Sequence, residues 1–237
     1  HRINRRQRQM CIRDSSLGIG LSTSFTGEDA LAITLDAGNV TEGVAELDGN
    51  TTGDTLIVDG ISYTFPVGDA TVLVGDSTDG SALFTTACAY GGPSAMLDDC
   101  GNVNAGITGG EATIGASYDF GNGFTAATGF QTASTAKGIF TEESSDAYAL
   151  NAAYIADSYG VSVTYSSVEN SGLTNEDTYT AFNAYYTPEL ENFPSISVGY
   201  EIGDIGGAVA AEDEKTSFFV GLTWDEVGPG SAGIALG

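Results

Sequence analysis

Basic residues are scarce in this chain. There are 7 Lys and Arg against 32 Asp and Glu, a formal net charge of −25. Five of the seven are Arg2, Arg5, Arg6, Arg8 and Arg13, and only Lys137 and Lys215 follow. Such a chain is repelled by phosphate backbones, which excludes nucleic acid as a partner. The same balance disfavours electrostatic docking on anionic lipid. Histidine is nearly absent, with His1 alone, so no Ser-His-Asp triad and no histidine base is available. No phosphate-binding glycine loop occurs in strand–turn–helix context. Acidic pairs abound by chance in so acidic a chain, so a two-carboxylate glycosidase has no specific support. The expectation is a protein that is not an enzyme and that uses no cofactor and no metal. No apolar run reaches the roughly 18 residues of a membrane helix. Glycine is abundant instead, at 33 residues, which disfavours a helical fold.

Residues 1–14, HRINRRQRQMCIRD, differ in composition from everything after them. They hold the only His and most of the positive charge, without the apolar core of a secretory signal. The stretch resembles a translated sequencing-adaptor tail, so 1–14 is read as non-native and 15–237 as the folding unit.

Beyond it, apolar and small polar residues alternate with the period of strands. In 112–120, Ala112, Ile114, Ala116, Tyr118 and Phe120 face one way and Thr113, Gly115, Ser117 and Asp119 the other. In 195–204, Ile196, Val198, Tyr200 and Ile202 oppose Ser195, Ser197, Gly199, Glu201 and Gly203. The segments 17–25, 159–169 and 215–225 behave alike, with Phe219 the exception in the last. Asn122-Gly123 and Asp59-Gly60 carry hairpin signals, and 67–69 reads as another turn. The stretch 77–111 has no strand signal, and a connection that long usually marks a functional loop.

Two architectures fit these strands. One is a soluble acidic sandwich. The other is a transmembrane barrel, with its apolar face in lipid and its polar face toward water. Three features favour the barrel. The alternating runs reach the ~9–11 residues of a membrane strand. Aromatics recur six apart at Phe124 and Phe130, Tyr148 and Tyr154, Tyr159 and Tyr165, Tyr179 and Tyr185, and Phe218 and Trp224. That is about 20 Å of strand, a loose fit to aromatic girdles at two interfaces. The opposite face carries Gly, Ser, Thr, Asn and acids without the Lys and Arg of an ordinary water-facing surface. The predicted fold is all-β: an antiparallel up-and-down porin-like barrel with about a dozen strands.

On that fold the predicted pore-lining residues are Asp36, Asp119, Gln131, Asn151 and Glu201. The loop 77–111 is expected either to fold inward as a constriction carrying Asp76, Asp79, Asp98 and Asp99, or to lie outside as a surface loop. Cys88 and Cys100 within it read most simply as a disulfide; a two-thiol metal site is the weaker alternative. The segment 48–59, DGNTTGDTLIVD, has calcium-loop residues at some positions but lacks the final bidentate Glu, and reads better as a turn.

Four segments are similar to one family: SFTGEDAL (24–31), ISYTFPVGDATVLVG (61–75), ACAYGGPSAMLDDCGN (87–102) and FFVGLTWDEVGPGSAG (218–233). They resemble the outer-membrane porins of marine picocyanobacteria. That family is also called the cyanobacterial iron-uptake porins and is similar to carbohydrate-selective porins. The resemblance implies passive diffusion of small hydrophilic solutes and inorganic ions across a cell outer membrane, with iron or sugars as cargo. It implies outer-membrane lipid as surroundings and a homo-oligomer, a trimer, when complete. It also implies attachment to peptidoglycan through an S-layer-homology domain that nothing in 15–237 matches. The chain then reads as a barrel fragment, short of the 16–18 strands of a porin. Its acids predict cation preference. The rival reading is a secreted acidic β-sheet protein of a surface layer or adhesive.

Overall fold

The computed structural model describes residues 16–39, 52–91, 97–133, 141, 144–169, 176–190, 192–206 and 213–237. The tail 1–14, Lys137 and residues 48–51 of the calcium-loop candidate lie outside the described residues. Among the described residues twelve strands form one sheet: β1 (Ser16–Thr23), β2 (Ala30–Gly38), β3 (Ile57–Val67), β4 (Ala70–Asp76), β5 (Ala112–Gly121), β6 (Phe124–Thr132), β7 (Asp146–Ile155), β8 (Tyr159–Glu169), β9 (Glu176–Tyr186), β10 (Ser195–Asp204), β11 (Glu214–Val227) and β12 (Gly230–Leu236). Each pairs antiparallel with its sequence neighbours, in the order β1 to β12. The fold is therefore an all-β up-and-down barrel wall. It is open, because β1 pairs with β2 and β12 with β11 but not with each other.

Connections alternate in length. One end carries the turns 24–29, 68–69, 122–123, 156–158, 187–194 and 228–229; the other carries the longer 39–56, 77–111, 133–145 and 205–213. Asn122-Gly123 makes the expected hairpin, with both residues at positive φ. Asp59-Gly60 does not. It lies inside β3, where Thr34 pairs with Gly60 and Leu35 with Val58, leaving Asp59 as the extra residue of a bulge. A dipeptide able to turn has been used to kink a strand, and Gly60 is needed because a side chain there would run into the Ser77 carbonyl oxygen.

Burial follows the alternation in an inverted sense. On β10 the apolar Ile196, Val198, Tyr200 and Ile202 are 39%, 44%, 46% and 46% exposed, while Ser195, Ser197 and Glu201 are 6%, 1% and 2% exposed. Apolar rows continue across neighbours, as in Phe182–Tyr200–Phe218 and Ala184–Val198–Val220. On this outer face from β5 to β11, charges occur only near strand ends, at Asp146, Glu169, Glu176, Asp204, Glu214 and Glu226. The β5, β7 and β10 strands run 10 residues and β8 and β9 run 11, the length that crosses a bilayer core when tilted.

Some aromatics of the outer face lie near its two ends, while Phe182 and Tyr200 stand in mid-strand. At the short-turn end Phe124 and Tyr154 have ring centroids 4.5 Å apart, and Tyr154 and Tyr159 5.8 Å. Toward the other end Tyr148 and Tyr165 are 6.3 Å apart, and Phe130 pairs with Tyr148 across strands. Phe218 and Trp224 share this face on β11. Tyr179 and Tyr185 do not. They lie on the inner face with Ala181 and Asn183, and β9 turns Phe182 and Tyr186 outward instead. Each inward ring lies over a glycine of an adjacent strand, Tyr179 over Gly203 and Tyr185 over Gly160. Because β9 carries aromatics on both faces, spacing six apart could not tell which pair faced out.

The turn 24–29 is built around one carboxylate. Asp29 accepts from the Ser24 hydroxyl at 2.7 Å, the Phe25 N–H at 3.0 Å, the Thr26 N–H and hydroxyl, each at 2.7 Å, and the Tyr63 hydroxyl at 2.7 Å. These donors, led by the Thr26 hydroxyl, hold its carboxyl well below the usual range against an opposing effect of burial. A lowered folded-state value stabilises the fold above about pH 4, the ordinary carboxylate value, and the contribution fades as pH falls toward the folded value. Asp29→Asn is expected to lower the thermal transition at pH 7. The gap from the parent should narrow in acid below that range, as read by heat-dependent migration on a gel.

Candidate functional site

Over β6 to β11 the inner face of the sheet is covered by the described residues of the connection 77–111. Its described residues make no strand; a single bridge, Thr78 with Gly110, closes its neck. From the neck it runs out across the strands and returns, so it lies as a flat strap over the wall. Cys88 and Cys100 join the outgoing and returning limbs through a disulfide, with Cα atoms 6.4 Å apart.

The outgoing limb is held at alternate residues. The N–H of Thr85 donates to Asn151 Oδ1 on β7 at 3.0 Å, and that of Ala87 to Ser162 Oγ on β8 at 2.9 Å. The N–H of Ala89 donates to Ser197 Oγ on β10 at 2.9 Å, and that of Gly91 to Thr223 Oγ1 on β11 at 3.3 Å. An extended segment points alternate N–H groups the same way. Advancing two residues covers about 6.6 Å, and small polar side chains on successive inner walls meet those donors. Nearer the neck, Gln131 accepts from the Gly80 N–H at 3.1 Å and donates to the Thr108 carbonyl at 2.8 Å, bridging both limbs.

The returning limb is held by carbonyl acceptors and one carboxylate. Asn183 Nδ2 donates to the Cys100 carbonyl at 2.7 Å, and Ser217 Oγ to the Gly101 carbonyl at 2.8 Å. Glu201 accepts from the Asn104 N–H at 2.8 Å, the Asn104 side-chain amide at 2.6 Å and the Ala105 N–H at 2.8 Å. Apolar contacts fill between these bonds. Ile107 packs on Ala147 and Ala149 with Phe84, and Ala105 on Tyr179 and Ala181. Tyr90 meets Phe219 edge-on at 5.3 Å, which explains why Phe219 breaks the alternation of β11. Glycines open the remaining space: a side chain at Gly129 would collide with the Gly80 carbonyl, and one at Gly199 with the Cys100 carbonyl.

The expected site residues therefore divide. Gln131, Asn151 and Glu201 face inward but lie under the strap, and Asn151 and Glu201 are buried. Asp119 faces inward and is exposed, its Oδ1 accepting from the Gly121 N–H at 2.8 Å in the hairpin turn. Asp36 is half-buried on the inner face of β2, beside Gly18. Asp79, Asp98 and Asp99 are exposed on the strap. Asp76 ends β4 on the outer face at the long-loop end, where it accepts from the Ser77 hydroxyl at 3.0 Å. Phe219, Tyr90 and the clearance glycines were not read as site residues from the sequence. The one signal for them was Phe219 standing out of pattern. Among the described residues no group of three or more His, Cys, Asp or Glu is placed to hold a metal ion.

No protein-family model matches the chain, and no curated protein matches it. Among solved structures it is similar to an anion-selective porin from Comamonas acidovorans. That likeness has 14% identity and a TM-score of 0.43, over 89% of this chain and 73% of that one.

Two contrasts test the strap and its seat. Gly199→Ala should destabilise by roughly 1–3 kcal/mol, the usual cost of forcing a group into filled space. Gly20→Ala, with nothing within 4 Å, should be tolerated. Phe219 is 1% exposed and Phe218 52%. Phe219→Ala should cost about 3 kcal/mol, measured by denaturant titration of detergent-folded protein, and Phe218→Ala clearly less. Equal losses at 218 and 219 would mean that the strap does not pack on β11.

Proposed function

We propose that the chain forms the wall and constriction of an outer-membrane channel for passive diffusion of small hydrophilic solutes and inorganic ions. The observation that supports this best is the inverted burial of β10, with four apolar side chains about half exposed and their polar neighbours covered. A water-soluble protein rarely exposes a continuous apolar face across many strands. Lipid removes that cost, and closed barrels meet its demand that backbone groups be paired internally. The secreted surface-layer or adhesive reading requires the same face to stand in water.

The strap supports a constriction. It occupies part of the inner face, and the segment 77–111 that carries the exposed acids Asp79, Asp98 and Asp99 contains no Lys or Arg. Asp36 and Asp119 add negative charge on the wall beyond it. Such a passage attracts cations and repels anions, and salt weakens the effect as the Debye length shortens to about 8 Å at 0.15 M. The proposed selectivity is therefore for cations. The cargo is iron or another inorganic ion, with sugars as the alternative, on the resemblance of 24–31, 61–75, 87–102 and 218–233 to picocyanobacterial porins. The same resemblance supports a trimer and an attachment to peptidoglycan through a further domain.

Heat-modifiable migration and conductance in a planar bilayer separate the channel from the secreted protein. Reversal potentials under a salt gradient should show cation preference that falls when Asp98 and Asp99 become Asn. A detergent-free, soluble and non-conducting protein would sink the channel reading. Anion preference in a conducting pore would move selectivity away from these acids.

A further inference from the structure

We propose that Glu201 is a positioning residue that latches the returning limb of the strap, and that its charge does not act on passing ions. The proposal rests on the channel reading for its conductance test, but its geometric part stands independently.

The carboxylate is 2% exposed and on the inner wall. Three donors converge on it. Two are consecutive backbone N–H groups, those of Asn104 and Ala105, which share Oε2; the third is the Asn104 side-chain amide on Oε1. Elsewhere along the strap the wall side chains that hold its backbone are neutral: Gln131, Asn151, Ser162, Asn183, Ser197, Ser217 and Thr223. Hydrogen bonds to a charged acceptor are the stronger kind, and leaving buried donors unmatched is costly. Glu201 is thus the strongest single polar hold on the strap. Around it the limb rests on small residues: Ala105 packs against Ala181 and Tyr179, and the Asn104 carbonyl lies 3.4 Å from the Ser166 hydroxyl. A charge turned into these donors and covered by the strap is poorly placed to meet an ion.

This separates two roles that sequence position alone would merge. A wall carboxylate in the ion path affects selectivity. A latch affects the width and steadiness of the passage, because the limb it holds carries the exposed Asp98 and Asp99. Glu201→Gln presents an amide donor to donors and breaks at least one of the three bonds. Asn104→Ala keeps the carboxylate and removes only the side-chain donor.

The test compares these two variants with Asp98→Asn/Asp99→Asn in planar bilayers and by hydrogen exchange of the detergent-folded chain. In Glu201→Gln, single-channel conductance should rise and flicker while the cation-to-anion permeability ratio holds. Asn104→Ala should move the same way by less. The paired aspartate variant should lower the ratio with little change in conductance. Amide exchange at Asn104 and Ala105 should accelerate by about tenfold or more in Glu201→Gln, the scale of losing bonds to a charged acceptor. A lowered ratio with unchanged conductance and unchanged exchange would overturn the latch and return Glu201 to the ion path. Faster exchange in a protein that never conducts would uphold the latch and sink the channel.

Discussion

The rest of the structure depends on how the backbone of 77–111 is satisfied. A long connection without strands carries many N–H and C=O groups, and covering it against a wall removes them from water unless partners are supplied. The wall supplies them one strand at a time: Asn151, Ser162, Ser197 and Thr223 to the outgoing limb, Asn183, Glu201 and Ser217 to the returning one. The composition of the inner face follows from this. Ser, Thr and Asn are short enough to let the backbone lie close and polar enough to meet it. Gly129 and Gly199 stand where the approach is closer still. The high glycine content, which from the sequence only disfavoured a helical fold, is in part a matter of clearance beneath the strap.

The outer face answers to a different medium through the same period of two. Cross-strand rows such as Ala184–Val198–Val220 have no covering element among the described residues, and the outer-face charges of β7 to β11 withdraw to the ends of the strands. On the channel reading, one alternation therefore meets two surroundings, lipid on one side and a folded loop on the other. The strands are long and continuous, yet among the described residues the buried apolar clusters do not merge into one core. These clusters are small, Ala and Ile residues of the strap against Ala and Tyr of the wall.

Much of this was legible in the sequence because period two is a backbone property of any regular strand, interrupted only at bulges. The strands at 112–120, 159–169 and 195–204, the Asn122-Gly123 hairpin and the lack of strand signal in 77–111 all rest on it. Three things were not legible. The sense of β9 was lost because Tyr179, Phe182, Tyr185 and Tyr186 put aromatics on both faces, and only the pairing against Gly160 and Gly203 decides between them. Asp59-Gly60 reads as a turn, and only the register against Thr34 and Leu35 makes it a bulge. The third is whether an inward polar residue meets water or a covering loop. Alternation assigned Glu201 and Asp119 to the same face, correctly, yet one is buried by the strap and the other exposed at a hairpin.

That last distinction governs where charge can act. A carboxylate saturated by three donors in a covered seat is held at fixed distance from any aqueous path, and its field is partly answered by the dipoles that bind it. A carboxylate on the uncovered side of the strap keeps its field in the solution. Placing the strap over β6 to β11 shifts the exposed acids from the strands to the loop, so that Glu201 on the wall is covered while Asp79, Asp98 and Asp99 on the strap face solution. The chain needs both, since Asp98 and Asp99 stay at one place only if the limb behind them is held. The Cys88–Cys100 disulfide, the Asn183 bond to the Cys100 carbonyl and the Glu201 bonds fasten that limb within a few residues of these acids, on their C-terminal side. If the strap is the constriction proposed above, a charge held in one place there is the arrangement in which electrostatic selection survives screening longest, because the distance from charge to ion stays inside the Debye length.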